Sequence, residues 1–376
     1  MRSRNQRIIY TDRLENNMRK IRRAVNPASK IMAVVKADAY GHGAVETAKA
    51  VIAGGADMLA VASVEEGVFL RRHEIHIPIL VLGPVSETDA AEGVQNDLIL
   101  TVCSPEMVFL CEKAAVKAHK QAEVHLKIDT GMGRIGVRGE DELLAVADSV
   151  LKSEHVCLSG AYTHFSDADG ETEGVHYTEK QYRRFIHLTK LLPEGIVLHC
   201  SNSAAIQRKP EYAMDMVRVG ISLYGYPPVN NNPLHLEPCM RWTAKVSFVK
   251  NLPAGEYISY GRTFITKHDT RVATVTCGYA DGYHRAAGEK AEVLIHGCRA
   301  KVLGRICMDQ MVVDITAIPD VLPEDEVVLM GQDGNDCITA DEIAHWAGTI
   351  SYEVLLSAGS RVDRIFREYS KGGSRT

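Results

Sequence analysis

The feature that most constrains this chain is a rhythm of short apolar, β-branched runs with longer helix-compatible stretches between them. The runs are IMAVVK (31–36), MLAVAS (58–63), PILVLG (78–83), LILTVC (98–103), VHLKID (124–129), GAYTHF (160–165), VLHCSN (197–202) and MVRVGI (216–221). A strand that is apolar along its whole length is buried on both faces, as in a parallel sheet covered by helices. Eight such units within about 230 residues fit a closed (β/α)8 barrel better than an open sheet. Helix starts agree with this: Ser63 is followed three residues on by Glu66, the spacing of a capping box.

The pattern changes after YGYPPVNNNP, where prolines and asparagines predict a boundary near residue 232. Beyond it AKVSFVKNL, RVATVTCGYA, AEVLIHG, AKVLGRI and QMVVDIT read as antiparallel strands, interrupted by one helix at TADEIAHWAG with Thr339 and Glu342 as its box. The expectation is an α/β chain with a (β/α)8 TIM-type barrel over 1–232 and a mostly antiparallel β-domain over 233–376.

Charge and cysteine usage narrow the function classes. With a formal net charge of -5 and no Lys/Arg-rich run, the 376-residue chain carries no electrostatic footprint for nucleic acid or a membrane surface. No apolar run approaches a membrane span, and the start MRSRNQRIIYTDRLENN has no apolar leader segment. Nine cysteines stand singly with no C-x-x-C, which fits a reducing, cytoplasmic setting. No Cys/His group has zinc spacing and DADGETE misses the calcium-loop pattern, so no metal is expected.

Barrel enzymes carry their chemistry at the carboxyl ends of the strands. Those ends supply Lys36, Lys127 with Asp129, His164, Asn202 with Ser203, and Arg218 with Gly220. So many ionisable and hydrogen-bonding groups at one mouth imply a shared polar site. GMGRIG satisfies G-x-G-x-x-G, but it follows the fifth strand rather than the first, so a dinucleotide site is excluded on context.

The motifs AVVKADAYGHG, HLKIDTGMGRIGV, THFSDAD, SNSAA, VRVGISLYG, SYG, GYADGY, GRICMDQ and SYEVL together resemble the alanine racemases, enzymes that use pyridoxal 5′-phosphate. The resemblance covers essentially the whole chain; YTDRLENNM departs from the family's usual opening, which concerns the first strand and helix and not the site.

The resemblance implies that Lys36 holds the cofactor and then serves as a base, which requires burial or neighbouring cations to lower its basicity. Tyr40, Asn202, Ser203, Tyr352 and the backbone at Gly220 and Ile221 would bind the cofactor, mainly at its phosphate, with Gly41 and Gly43 suited to a tight turn. Arg218 would face the ring nitrogen, where a guanidinium gives up no proton, and His164 would hydrogen-bond Arg218.

Racemisation needs a base on each face of the reacting carbon, and Tyr260 of the partner subunit would be the second. The homodimer is then the catalytic unit, with shared active sites. Arg134 and the backbone of Met308 would bind the substrate carboxylate. Lys127 matches a lysine that in many relatives is carbamylated and so can hold the arginine at the position of Arg134. Tyr279 and Tyr283 would line the approach or pack in the core.

The implied activity is interconversion of L- and D-alanine, supplying D-alanine for peptidoglycan. A serine or broad-specificity racemase is the alternative. A pyridoxal-phosphate-dependent decarboxylase of the same plan would place an acid where Arg218 stands. A non-enzymatic single-barrel binding protein would end near the eighth strand.

Overall fold

The computed structural model describes residues 4–229 and 232–369, and these fall into two compact units. One comprises 14–39 and 43–236; the other comprises 4–13, 40–42 and 237–369.

Strand β1 (Gln6–Tyr10) belongs to the second unit. The first unit holds β2 (Lys30–Val34), β3 (Met58–Val61), β4 (Ile79–Val81), β5 (Leu100–Val102), β6 (Ala122–Lys127), β7 (Val156–Tyr162), β8 (Val197–His199) and β9 (Met216–Val219). They form two parallel four-stranded sheets, in the orders β4-β3-β2-β9 and β5-β6-β7-β8. A parallel bridge between Leu80 and Ile99 joins one pair of edges. The other seam is closed where the Asp215 amide donates to Leu198 O and the Arg218 amide to Ser201 O, each at 3.2 Å. The result is the (β/α)8 barrel that the apolar runs imply.

Helices Ala44–Ala53, Val64–Arg72, Glu87–Gln95, Pro105–Ala118, Glu140–Leu151 and Thr172–Thr189 follow β2 to β7. Three of them start on serine caps: Ser63, Ser86 and Ser104 each accept the amide three residues on. Such a cap contributes about 1 kcal/mol and fixes where the strand-to-helix loop ends. After β8 and β9 the helices shrink to single 3-10 turns, Ala205–Gln207, Pro210–Ala213 and Ile221–Tyr224.

The barrel interior is polar. Thr101, His125, Lys127, Tyr162, His199 and Arg218 are all buried. Register places Thr101 beside His125, and Lys127 beside Tyr162, which in turn pairs with His199. Gly160 makes room for this layer, since a Cβ there would come within 2.7 Å of the His125 ring.

In the second unit the spine is β10 (Met240–Leu252), a 13-residue strand paired antiparallel with β1, Thr270–Val275 and Glu326–Asp333. Register shifts near Trp242 and Val246 let one strand serve several neighbours. β1 also pairs in parallel with Asp363–Arg367. Its backbone groups therefore find their partners in the far half of the chain, which is why 4–13 leave the barrel unit that 1–232 was expected to form. The chain passes from one unit to the other at 236/237. Glu326–Asp333 is a strand the sequence reading did not anticipate.

Thr339 caps the helix Ala340–Ala347 by accepting the Glu342 amide at 3.1 Å, but the Glu342 carboxylate binds Arg299 instead of returning to the cap. Among the described residues no helix is long and apolar enough to cross a membrane, and the nine cysteines form no disulfide.

Candidate active site

Beyond β2 the backbone turns left-handed for four consecutive residues, Ala37 to Tyr40, with φ of 52°, 52°, 54° and 52°. None is glycine, and each such residue costs about 1–2 kcal/mol. The turn is held by hydrogen bonds along its length. The Ala39 amide donates to Val35 O and the Gly43 amide to Asp38 O, both at 2.9 Å. The Ala44 amide donates to Asp38 Oδ1 at 2.8 Å and the Ala37 amide to Glu66 Oε1 at 2.6 Å. Strain of this kind is retained where it aims a functional group. Here it follows Lys36, whose side chain is half-buried. Burial, and then the Arg134 cation, lower the pKa of Lys36, while Glu66 opposes them.

Gly41 and Gly43 carry the positive φ, 78° and 96°, that a tight turn asks of glycine. A Cβ on Gly41 would also lie 2.5 Å from Leu355 O.

Arg218 sits on β9 with its guanidinium spread over neutral acceptors. Nη1 donates to His199 Nδ1 at 2.8 Å and to His199 O at 3.1 Å. Nη2 donates to Thr163 O at 2.7 Å and Cys200 O at 3.1 Å, and lies 3.4 Å from His164 Nδ1. The expected His164 contact is present, but His199, which no sequence motif singles out, is the shorter partner.

The protons can be assigned from this geometry. A guanidinium only donates, so His199 Nδ1 accepts and its proton rests on Nε2. That nitrogen then donates to His125 Nδ1 at 2.9 Å. Burial and Arg218 push His199 well below its ordinary value and His125 down to about 3, so both rings are neutral. Burial takes Arg218 itself down to about 10, still protonated at neutral pH.

Lys127, on β6, is buried, and its Nζ has no hydrogen-bond partner among the described residues. It lies 4.5 Å over the Tyr162 ring, against which the His199 ring stacks at 4.8 Å. Burial, Arg218 and Arg134 hold its pKa well below the ordinary lysine value. Asp129 opposes them only in part, since its Oδ1 accepts the Gly131 and Gly133 amides at 3.0 Å each and Oδ2 faces Arg138 at 3.6 Å. Arg134 is exposed on the GMGRIG loop.

Past β8, Asn202 Oδ1 accepts the amides of Ala204 and Ala205 at 3.1 and 3.0 Å and so shapes its own loop. Ser203 Oγ accepts the Gly220 amide at 2.9 Å and the Ser222 amide at 3.5 Å, which draws the loops after β8 and β9 together. Ile221 is buried beside them, and Ser222 Oγ is buried without a partner among the described residues.

The remaining expected residues lie in the second unit. The rings of Tyr40 and Tyr352 are 5.9 Å apart. Tyr40 is buried, and burial raises its pKa. Tyr260 and Met308 are 70% and 53% exposed, unusual for large apolar side chains. Ser259, at φ 66°, donates to Arg305 O and meets Cys307 Sγ at 3.4 Å, which brings the Tyr260 and Met308 loops together. Tyr279 is exposed, whereas Tyr283 is buried near Trp242 and belongs to the core.

A closed (β/α)8 barrel with an amine and a cationic, carboxylate-poor mouth, joined to an antiparallel unit, defines a class of barrel enzymes. The family models "Alanine racemase, N-terminal domain" and "Alanine racemase, C-terminal domain" match residues 9–228 and 239–366. The alanine racemase of Methanococcus maripaludis is 42% identical over 360 residues, covering 94% of this chain and 96% of that protein. That of Clostridium novyi is 43% identical over 366 residues, covering 95% of this chain and 94% of its own. Among solved structures, alanine racemase from Clostridium difficile 630 superposes with a TM-score of 0.91 at 40% identity, covering 98% of this chain and 97% of that one. Alanine racemase from Bacillus anthracis with bound L-Ala-P gives 0.89 at 37% identity, covering 98% and 96%. The chain belongs to the alanine racemase family.

Proposed function

We propose that this chain racemises alanine as a homodimer, with pyridoxal 5′-phosphate in the barrel mouth. The residues present fit an anionic cofactor. Lys36, Lys127, Arg134 and Arg218 gather there, Asp129 Oδ1 accepts the Gly131 and Gly133 amides, and two buried polar atoms, Lys127 Nζ and Ser222 Oγ, have no hydrogen-bond partner among the described residues. Lys36 would hold the cofactor. Ser203, Asn202, Tyr40, Tyr352 and the backbone of Gly220 and Ile221 would serve its phosphate side, and Arg218 with His164 its ring. When bound, pyridoxal phosphate supplies an electron sink that acidifies the α-proton of an attached amino acid.

Lys36, less basic than a surface lysine, takes or returns that proton on one face, and Tyr260 of the partner subunit does so on the other. Arg134 and the Met308 backbone would receive the substrate carboxylate. Lys127 is suited to carbamylation because burial and the Arg218 and Arg134 cations hold its pKa well below the ordinary lysine value. The amine adds CO2 and releases a proton, and the resulting anion can pair with Arg134. The product D-alanine would serve peptidoglycan synthesis, and free thiols suit a cytoplasmic enzyme.

The observation that carries the reading is Arg218, a buried cation fixed by neutral rings and carbonyls, with no proton to give at the position where a decarboxylase needs an acid. The direct test measures D-alanine formed from L-alanine by the pyridoxal-phosphate-loaded enzyme, against L-serine. Faster turnover of serine would replace the substrate assignment. Sharing of sites is tested by refolding equal amounts of Lys36→Ala and Tyr260→Phe chains together. Mixed dimers then contain one intact site, and roughly a quarter of wild-type activity should return. No rescue, with mixed dimers demonstrated by mass spectrometry, would refute the in-trans role.

A further inference from the structure

Glu66 stands three residues after the Ser63 cap, where a glutamate ordinarily reaches back to the cap's own amide. It does not do so here. Oε1 accepts the Ala37 amide at 2.6 Å and Oε2 accepts the Ala62 amide at 2.7 Å. One carboxylate from the second β/α unit thus ties down the first amide after Lys36, and with its other oxygen grips the chain leaving β3.

We propose that Glu66 is a positioning residue for Lys36: by clamping the Ala37 amide it fixes the entry to the left-handed turn and so the direction in which the lysine leaves the barrel. The proposal rests on the reading of Lys36 as the cofactor lysine. The turn is intrinsically unfavourable, so its geometry must be over-determined by its surroundings. The bonds from Ala39, Gly43 and Ala44 secure its middle and exit. Ala37 is its first residue, and a charge-assisted bond to a carboxylate is the stronger kind of hydrogen bond.

Glu66 also sets the charge around the amine. Arg134 disfavours protonated Lys36, His164 is coupled to Lys36, and Glu66 favours the protonated form. The clamp and the counter-charge are two effects of the same carboxylate.

Glu66→Gln keeps the shape and removes the charge; Glu66→Ala removes both arms. Two readouts separate a positioning role from a merely structural one. Amide exchange at Ala37, read in 15N-alanine-labelled protein without cofactor, should speed up by about tenfold in both variants while the central barrel strands keep their protection. The pH midpoint for covalent capture of pyridoxal phosphate, fixed by borohydride and mapped by peptide mass, should move down in Glu66→Gln, since a group favouring the protonated amine is gone. Unchanged Ala37 exchange in either folded variant, or faster exchange throughout the barrel, would overturn the clamp. An unchanged midpoint would overturn its link to Lys36. If wild-type protein captures the cofactor at another lysine, the functional reading fails, while Ala37 exchange still decides whether Glu66 holds the turn.

Discussion

Arg218 in the barrel and Arg299 in the antiparallel unit both spread the guanidinium over several fixed partners, and the partners are of opposite kinds. Arg299 is about a third exposed and faces three carboxylates. It makes a forked pair with Asp336 at 2.7 and 3.0 Å, a contact with Glu292 at 3.0 Å, and another with Glu342, with Cys337 O as a further acceptor. Arg218 is 3% exposed and faces imidazoles and carbonyls, with no carboxylate among its partners in the described residues. A scaffold compensates its charges, because an uncompensated buried ion is costly. The barrel mouth instead leaves Arg218 without a carboxylate partner and Lys127 Nζ without a hydrogen-bond partner among the described residues, and neutralises its histidines so that they orient a cation without adding to it. That is the electrostatics of a site prepared for anions.

Arg218→Lys is the substitution expected to have the largest effect. The charge survives, but one ammonium cannot satisfy acceptors spread over His199, Thr163 and Cys200. Losing an oriented charge of this kind costs about 10²–10³ in kcat, and that loss is the expected result. A variant within a few-fold of wild type would show that charge alone matters and that the histidine stack orients nothing.

This network also marks the limit of what the letters disclose. Lys36, Lys127, His164, Ser203 and Arg218 were legible because a parallel barrel delivers every strand end to one mouth, and the apolar runs locate those ends. His199 was not, because a histidine inside an apolar run carries no sign of which ring or cation lies across the barrel. The pairing of β1 with Asp363–Arg367 was hidden for a related reason: parallel partners some 350 residues apart leave no local pattern. The left-handed run from Ala37 to Tyr40 is invisible too, since alanine, aspartate and tyrosine do not announce positive φ.

Lys127 bears on stability instead. Burial, Arg218 and Arg134 hold Lys127 well below the ordinary lysine pKa, so the unfolded chain binds the extra proton more readily. Stability then rises with pH from the depressed folded value up to the unfolded one near 10.4, and is least on the acid side of that window. Lys127→Met should flatten that slope and stabilise the cofactor-free protein by about 1–3 kcal/mol at neutral pH. Urea unfolding of both proteins between about pH 6 and pH 9 reads this directly. A steeper slope in the variant, or a loss of stability, would mean that Lys127 is already paired, as a carbamate would be.

The smallest effect belongs to the compensated arginine, and its signature differs in kind. Arg299→Met leaves Glu292, Asp336 and Glu342 facing one another without a cation. Because the group is partly exposed, solvent screens the loss, and a deficit of about 1 kcal/mol is expected with no change in kcat. The deficit should shrink in about 1 M salt, where the screening length falls to roughly 3 Å. Acid should close it as well. Arg299 holds Asp336 below the usual carboxylate range, so the contribution is present above that range and is lost as pH falls through it. Wild type and Arg299→Met should therefore converge in acid, whereas Lys127→Met differs most from wild type there. Opposite pH trends in the two variants would establish that one unit holds its charge in balance and the other out of it; parallel trends would remove the distinction.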